Sequence, residues 1–102
     1  MNAVTALLTA AALALTAGIA QARDLGPGEA LRLRDAGTIQ SFETLDAEAL
    51  AKHPGSAITD TGLEEKYGKH VYQVELRDLQ GADWYVEVDA ASGQVLKDHQ
   101  DT

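Results

Sequence analysis

The chain alternates apolar and polar residues most regularly between Val71 and Asp89, in two runs separated by a short polar stretch. Strict period-two alternation is typical of strands that have one buried and one solvated face. The pattern therefore predicts an antiparallel hairpin. Its buried face would consist of Tyr72, Val74, Leu76, Trp84, Val86 and Val88. Its solvated face would consist of Gln73, Glu75, Arg77, Tyr85, Glu87 and Asp89.

Two further strands are predicted beside this hairpin. Ala57 to Tyr67 is strand-like, but its alternation breaks at Gly62, which predicts a bulge there. Gly68-Lys69 predicts a tight turn, and Gln94 to Asp98 a short last strand, with a polar tail that frays from His99. Because every connection is short, neighbouring strands must be antiparallel and form a meander. We expect Ala57–Tyr67 and Gln94–Asp98 to be the two sheet edges.

Two segments before the strands have helical periodicity. Ala30 to Ala36 predicts a short helix with Leu31 facing inward and Ala30 as a second candidate for the inward face, and Gly37 would end it in the left-handed conformation. Thr38 to Lys52 predicts a second helix of about four turns. Its apolar stripe consists of Ile39, Phe42, Leu45, Ala49 and Leu50. The predicted fold class is therefore α+β, with one or two N-terminal helices packed on one face of a four-stranded antiparallel β-meander.

The first 22 residues differ in composition from the rest. Met1 to Ala22 contains no charged side chain, and Ala20 and Ala22 occupy the −3 and −1 positions of a signal-peptidase site. This predicts a signal peptide over 1–22 and a single mature domain over 23–102, in a bacterial periplasm or outside the cell. An uncleaved membrane anchor is the alternative, because the run is near the lower length for a span, although its alanine-rich composition makes its hydrophobicity modest. A secretory leader normally begins with Lys or Arg, whereas here only the α-amino group is positive, so either the true start lies upstream or that charge suffices.

Charge and cysteine content restrict the partners and the sources of stability. Sixteen Asp and Glu residues against eight Lys and Arg give a formal net charge of −8. Such a balance repels nucleic acid and anionic lipid, so we expect neither nucleic-acid binding nor stable membrane insertion after signal cleavage. The chain has no cysteine. Because a domain of about 80 residues buries only about 60% of its unfolded surface, packing or a partner must stabilise it.

The side chains that most often carry catalysis lack the spacing that catalysis or metal binding needs. No serine of the chain lies in a Gly-x-Ser-x-Gly elbow, and the serines are Ser41, Ser56 and Ser92. The histidines, none with a second ligand three or four residues away on a helix, are His53, His70 and His99. The carboxylates expected to bond turn backbone near strand ends are Asp60, Asp83 and Asp89. We predict no catalytic residue, no metal ligand and no cofactor, with weak calcium binding left open.

The ordered series from Val71 to Leu96 resembles the C-terminal half of a PepSY domain. It contains a strand ending near Gly81, an aromatic-led strand ending in Asp-Ala, and a small-residue-glycine turn into Val-Leu. Upstream, Ala30-Leu31-Arg32-Leu33 with Gly37 and Ile39 resembles the front half of small stand-alone exported PepSY proteins. The residues that carry the family pattern, most of them expected to be structural, are Tyr72, Val74, Trp84, Val86, Asp89, Ala90, Gly93, Val95 and Leu96.

The resemblance implies a function in binding rather than in catalysis. PepSY domains occur in the propeptides of thermolysin-like secreted metalloproteases, and the resemblance implies a module that binds and restrains a peptidase or another envelope protein. Such a module needs a rigid surface and an exposed strand edge or hairpin, so we expect the partner at the two sheet edges and on the outer sheet face. The candidate partner surface is Glu75, Arg77, Tyr85 and Glu87. The alternative is that these residues are only the solvated side of a two-layer sheet and bind no partner. Two other functions stay open: a sensor or carrier of a small ligand or metal between helices and sheet, and an independent enzyme.

Overall fold

The computed structural model describes residues 22–101, which form two helices and five strands. Most of the predicted signal peptide, including Ala20, therefore lies outside the described residues. In chain order the elements are β1 (Ala22–Asp24), α1 (Pro27–Asp35), α2 (Phe42–Leu50), β2 (Ala57–Lys66), β3 (Lys69–Arg77), β4 (Asp83–Asp89) and β5 (Val95–Asp101). The α+β class is confirmed. Neither described helix is both long and apolar enough to span a bilayer.

The five strands form one antiparallel sheet in the order β1-β2-β3-β4-β5. The predicted count of four strands is wrong because three residues, too few to show alternation, add β1 at the edge. Ala22 pairs with Lys66 and Asp24 pairs with Glu64. The prediction that β2 is a sheet edge is therefore wrong for residues 64–66, which pair with β1. Residues 57–62 of β2 pair with β3 but with no other described strand, so this part of β2 is an edge as predicted.

Two irregularities of β2 differ from the predictions. The turn into β3 consists of Tyr67 and Gly68, with φ of +54° and +72°, and Lys69 already belongs to β3. Two positive φ values in a two-residue loop suit the twist of a hairpin. The bulge lies between Ile58 and Asp60 rather than at Gly62. Gly62 pairs in register with Gln73, and glycine suits this position because a Cβ would lie only 3.2 Å from the Gln73 side-chain oxygen.

The first helix begins earlier than predicted, and its inward side chains agree with the prediction at Ala30 but not at Leu31. Pro27 occupies its first turn, where the missing N–H is no loss. Leu31 is 43% exposed, so its predicted inward position is wrong. Ala30 contacts the core, as the second inward candidate, and Leu33, three positions further on, takes the place predicted for Leu31. Gly37 follows the helix with φ of +76°, as predicted.

The second helix begins at Phe42 rather than Thr38. Ser41 caps it, because the Ser41 Oγ accepts a hydrogen bond from the Thr44 amide at 3.2 Å. The preceding residues form a loop tied to the sheet, in which the Gln40 amide donates to the Ala90 carbonyl at 2.8 Å. Ile39 belongs to this loop rather than to a helix, and its side chain is buried in the core.

The last strand continues to Asp101, so the prediction of a frayed tail from His99 is wrong. His99 pairs with Tyr85, and the strand pairing reaches Asp101 opposite Asp83. An edge strand can be polar on both faces, and its sequence then lacks the alternation that reveals a strand. The polar composition therefore concealed the pairing.

The core lies between α2 and the inner face of the sheet. Leu45 and Ala49 of α2 are fully buried against this face. The inner-face side chains of the central hairpin that are buried are Tyr72, Val74, Leu76, Val86 and Val88. Trp84 is partly buried and packs on the same cluster, so the alternation predicted the inner face correctly. No helix among residues 22–101 covers the outer face.

Candidate functional site

The outer face of the central strands brings together the predicted partner surface. Glu75 of β3 lies opposite Tyr85 of β4, and Tyr85 in turn lies opposite His99 of β5. Arg77 lies opposite Asp83, and the Arg77 Nε donates a hydrogen bond to the Asp83 Oδ1 at 2.8 Å. Strand register therefore places three of the four predicted residues, Glu75, Arg77 and Tyr85, side by side on one accessible surface.

The fourth predicted residue, Glu87, is not a solvated side chain. It is 5% exposed, so the prediction that it belongs to an accessible surface is wrong. The Tyr85 Oη donates to the Glu87 Oε2 at 2.6 Å, and the Lys66 Nζ donates to the same oxygen at 3.4 Å. Long side chains from β2 and β4 thus cover the carboxylate while satisfying it. Glu87 therefore holds Tyr85 in place.

The ionisation of this pair follows from its surroundings. Burial by itself raises the pKa of Glu87, but the hydrogen bond from Tyr85 and the charge of Lys66 outweigh it, so the pKa lies below its ordinary value. Burial, and then the hydrogen bond to Glu87, raises the pKa of Tyr85 well above its ordinary value. At neutral pH a protonated phenol therefore donates to an ionised carboxylate, which is a strong arrangement.

Tyr72 has a similar bond on the opposite face. Its Oη donates to the Asp46 Oδ1 of α2 at 2.8 Å, and its ring stacks on Phe42 with centroids 6.0 Å apart. Burial, followed by the hydrogen bond to Asp46, raises the pKa of Tyr72 to about 12. This tyrosine fastens α2 to the sheet.

The turn between β4 and β5 uses the family-pattern residues for structure. The Asp89 Oδ1 accepts hydrogen bonds from the Ala91 and Ser92 amides at 3.0 and 3.3 Å. Ala90 is fully buried, and Gly93 has φ of +81°. Val95 packs on the core, whereas the pairing irregularity opposite Glu87 and Val88 leaves Leu96 exposed.

Trp84 is held by contacts that sequence reasoning missed. The His53 ring stacks on Trp84 with centroids 4.2 Å apart, and the His53 Nε2 lies 2.7 Å from the Asp98 Oδ1. The Trp84 Nε1 donates to the Asp78 Oδ2 at 3.0 Å. This bond, followed by that from the Ala82 amide, lowers the pKa of Asp78. His53 and Asp98 are 45 positions apart, so no local signal could have found their contact.

The other polar candidates have structural uses or stand apart. Ser41 caps α2, and the Ser92 Oγ accepts a hydrogen bond from the Gln94 amide at 3.2 Å. The Ser56 Oγ is buried without a hydrogen-bond partner among the described residues. His70 lies 3.8 Å from Glu65. Between residues 22 and 101, no three His, Asp or Glu side chains are grouped so that they could hold a metal ion.

The fold and the sequence define the family of the chain. The PepSY family model, described as "Peptidase propeptide and YPEB domain", matches residues 39–99, from the loop before α2 into β5. This match covers more than half of the chain, which therefore belongs to the PepSY family. The resemblance inferred from the strand pattern is confirmed.

One curated relative and the solved structures complete the comparison. The chain is similar to the uncharacterized protein YkoJ of Bacillus subtilis (strain 168), with 32% identity over 57 residues. That alignment covers 55% of this chain and 34% of the relative, so the chain spans about a third of the relative's length. No solved structure matches the chain.

Proposed function

We propose that this chain is an exported, non-catalytic module that binds and restrains a peptidase, or another cell-envelope protein, through the outer face of its sheet. Membership of a family described by the words "Peptidase propeptide" supports the kind of partner.

The observation that carries the proposal is an outer face that no helix of residues 22–101 covers, with an ordered tyrosine at its centre. Helices pack on the inner face, whereas Tyr85 on the outer face is half-buried and held by its 2.6 Å bond to Glu87. A side chain that is already fixed loses little conformational entropy when it meets a partner. Tyrosine is also enriched in protein interfaces, because it buries a large ring and keeps a polar end.

The sheet edges are less suited to the partner than the face. Among residues 22–101, the unpaired part of β2 has a pairing irregularity between Ile58 and Asp60, and the edge strand β5 has one opposite Glu87 and Val88. The third open edge, that of β1, is only three residues long. Charged residues such as Lys97 and Asp101 also line β5. Bulges and charges are the features by which proteins prevent strand addition at an edge. We therefore place the partner on the face.

Site-specific photocrosslinking tests this assignment. A benzoylphenylalanine in place of Arg77 on the outer face should crosslink to one envelope protein. The same probe in place of Glu48, on the exposed side of α2, should not crosslink to that protein. The trapped protein, purified, should hydrolyse peptides more slowly when the unmodified chain is added. Trapping from Glu48 alone, or an unchanged hydrolysis rate with a peptidase as the trapped protein, would contradict the proposal.

Export is tested separately. Protein recovered from the periplasmic or extracellular fraction should begin at Arg23 when its N-terminus is sequenced. A chain that begins at Met1 in the membrane fraction would support the anchor instead. Cleavage after Ala22 would leave Arg23 and Asp24 of β1 in the mature protein.

A groove between helices and sheet favours a second candidate function, the carriage of a small apolar ligand. Its volume is about 420 Å³, and its lining includes Leu31, Phe42 and Tyr72. The exposed position of Leu31 is consistent with a ligand-contacting side chain. Native mass spectrometry of the protein from its source would show a fixed mass excess, removed by Ala30→Trp, which would fill the groove. A mass equal to that of the polypeptide argues against this candidate.

A further inference from the structure

A second groove lies on the outer face at the end where β2 turns into β3. Its volume is about 410 Å³. Val71, which is 3% exposed, and Leu96, which is 41% exposed, provide its apolar surface. We call it the basic groove, and its polar and aromatic lining consists of Lys66, Tyr67, Lys69 and Lys97, with the buried Glu87.

Positive charge is concentrated here in an otherwise acidic chain. The sequence has four lysines and a formal net charge of −8, and three of the four lysines line the basic groove. Glu87 neutralises Lys66 at 3.4 Å, and Asp89 lies 3.8 Å from Lys69. Lys97 is exposed and forms no ion pair with any residue from 22 to 101. Lys97 lies opposite Glu87 in the strand register, so three lysines share two nearby carboxylates, Glu87 and Asp89, and the groove keeps a surplus of positive charge.

Tyr67 occupies the rim of this groove against the preference of its backbone. It is the one non-glycine residue with positive φ between residues 22 and 101, at +54°, and it is 77% exposed. Glycine and asparagine suit this turn position, whereas a tyrosine is strained there. Little burial compensates for the strain. The Lys66 Nζ lies 5.8 Å from the centroid of the Tyr67 ring, a cation–π contact at the exposed rim. Backbone strain that burial does not compensate is a reason to look for a binding role.

From this combination we infer that the basic groove binds a short, extended, acidic segment of the protein partner. A large apolar side chain of that segment would rest on Leu96 and Tyr67, and its carboxylates would pair with Lys69 and Lys97. The inference rests on the proposed function, since it names the segment that the partner would present.

The charge around the groove favours a short peptide over an extended polyanion. Toward the other end of the outer face, Glu75, Asp83 and Asp101 surround Arg77 in an acidic depression. A nucleic acid or an anionic bilayer would extend over these carboxylates and be repelled. A segment of a few residues fits the groove without reaching them.

Fluorescence anisotropy with defined peptides tests the inference. The probe is fluorescein-labelled Asp-Phe-Glu-Leu-Asp, which should bind the purified chain and bind more weakly as salt increases. Lys-Phe-Lys-Leu-Lys should not bind, and Asp-Ser-Glu-Ser-Asp should bind at least tenfold more weakly. The double variant Lys69→Glu/Lys97→Glu should lose at least tenfold in affinity. Lys52→Glu together with Arg32→Glu is the matched charge control outside the groove, and it should lose less than threefold.

The aromatic rim has its own variant. Tyr67→Asn should raise the melting temperature, because asparagine suits the turn, and should nevertheless weaken peptide binding at least threefold. A tyrosine with a merely structural role would not combine these two effects. Unchanged peptide affinity in a stabilised Tyr67→Asn would overturn the role of the ring.

Other results separate this inference from the proposed function. The inference would be overturned if Lys69→Glu/Lys97→Glu and the charge control lost the same peptide affinity. It would also be overturned if the basic peptide bound as tightly as the acidic peptide. Binding to phosphatidylglycerol vesicles, lost in Lys69→Glu/Lys97→Glu, in place of peptide binding would have the same consequence. If the acidic peptide fails but the probe at Arg77 still traps a peptidase, the basic groove is wrong and the proposed function stands. Failure of both contradicts both.

Discussion

Replacing Tyr85 with phenylalanine tests whether the outer face is held rigid by its buried carboxylate. The substitution removes one oxygen and leaves Glu87, 5% exposed, with the longer bond from Lys66 at 3.4 Å. A hydrogen bond to a charged group contributes about 1.5–3 kcal/mol, because loss of the donor leaves a desolvated charge incompletely satisfied. We expect Tyr85→Phe to lower the free energy of unfolding by that amount.

This loss is large for so small a domain. At about 0.05–0.15 kcal/mol per residue, about 80 residues have about 4–12 kcal/mol of stability in total. Urea unfolding measures the loss through the emission of Trp84, the single tryptophan of the chain. The midpoint should fall while the m value stays the same, since no buried apolar surface changes. Tyr67→Phe, which removes the hydroxyl of an exposed tyrosine, is the control and should stay within about 0.5 kcal/mol.

The pH dependence of the loss is a second measurement. The pKa of Glu87 is lower in the folded protein than in the unfolded chain, so unfolding takes up a proton at acid pH. The stability from this pair is therefore complete above the unfolded-state pKa and disappears as pH falls through the folded-state pKa. The difference between wild type and Tyr85→Phe should shrink over that acid range. A difference below about 0.5 kcal/mol at neutral pH, or one independent of pH, would refute the reasoning.

Three further changes have distinct expected outcomes. Leu45→Ala empties a fully buried site under α2 and should cost about 2–5 kcal/mol in thermal or urea unfolding, whereas Leu79→Ala, exposed, should change little. Gly93→Ala places a Cβ at φ +81° and 3.0 Å from the Gln40 side chain, so we expect the free energy of unfolding to fall by at least about 1 kcal/mol in the same assay. An unchanged unfolding midpoint would contradict the strain argument. Tyr67→Asn should gain about 1 kcal/mol at its positive φ, and a lower midpoint would show that the turn does not strain the tyrosine.

Local patterns predicted the part of the fold in which neighbours along the chain share one environment. Alternation identified Val74 and Val86 as inner-face residues because successive strand side chains point to opposite sides. Gly37 was predicted as the end of a helix because glycine adopts the left-handed conformation there without a Cβ penalty, a property of that residue alone. The family resemblance rests on the same kind of ordered local pattern.

The predicted binding surface was only partly readable in this way. Alternation assigned Glu75, Arg77, Tyr85 and Glu87 to one face, and the register confirms that they share it. It could not show that Glu87 is buried, because the covering side chain of Lys66 comes from a strand 21 residues earlier. Whether a partner binds this face remains a prediction.

Sequence alone determined the α+β class, the inner face and the family, since these depend on residue order over short distances. Tertiary structure alone decided that β1 joins the sheet, that His53 contacts Asp98, and that Lys97 shares a groove with Tyr67. Those contacts depend on strand register and on which long side chains meet across it. Register is a property of paired strands, and no single strand encodes it.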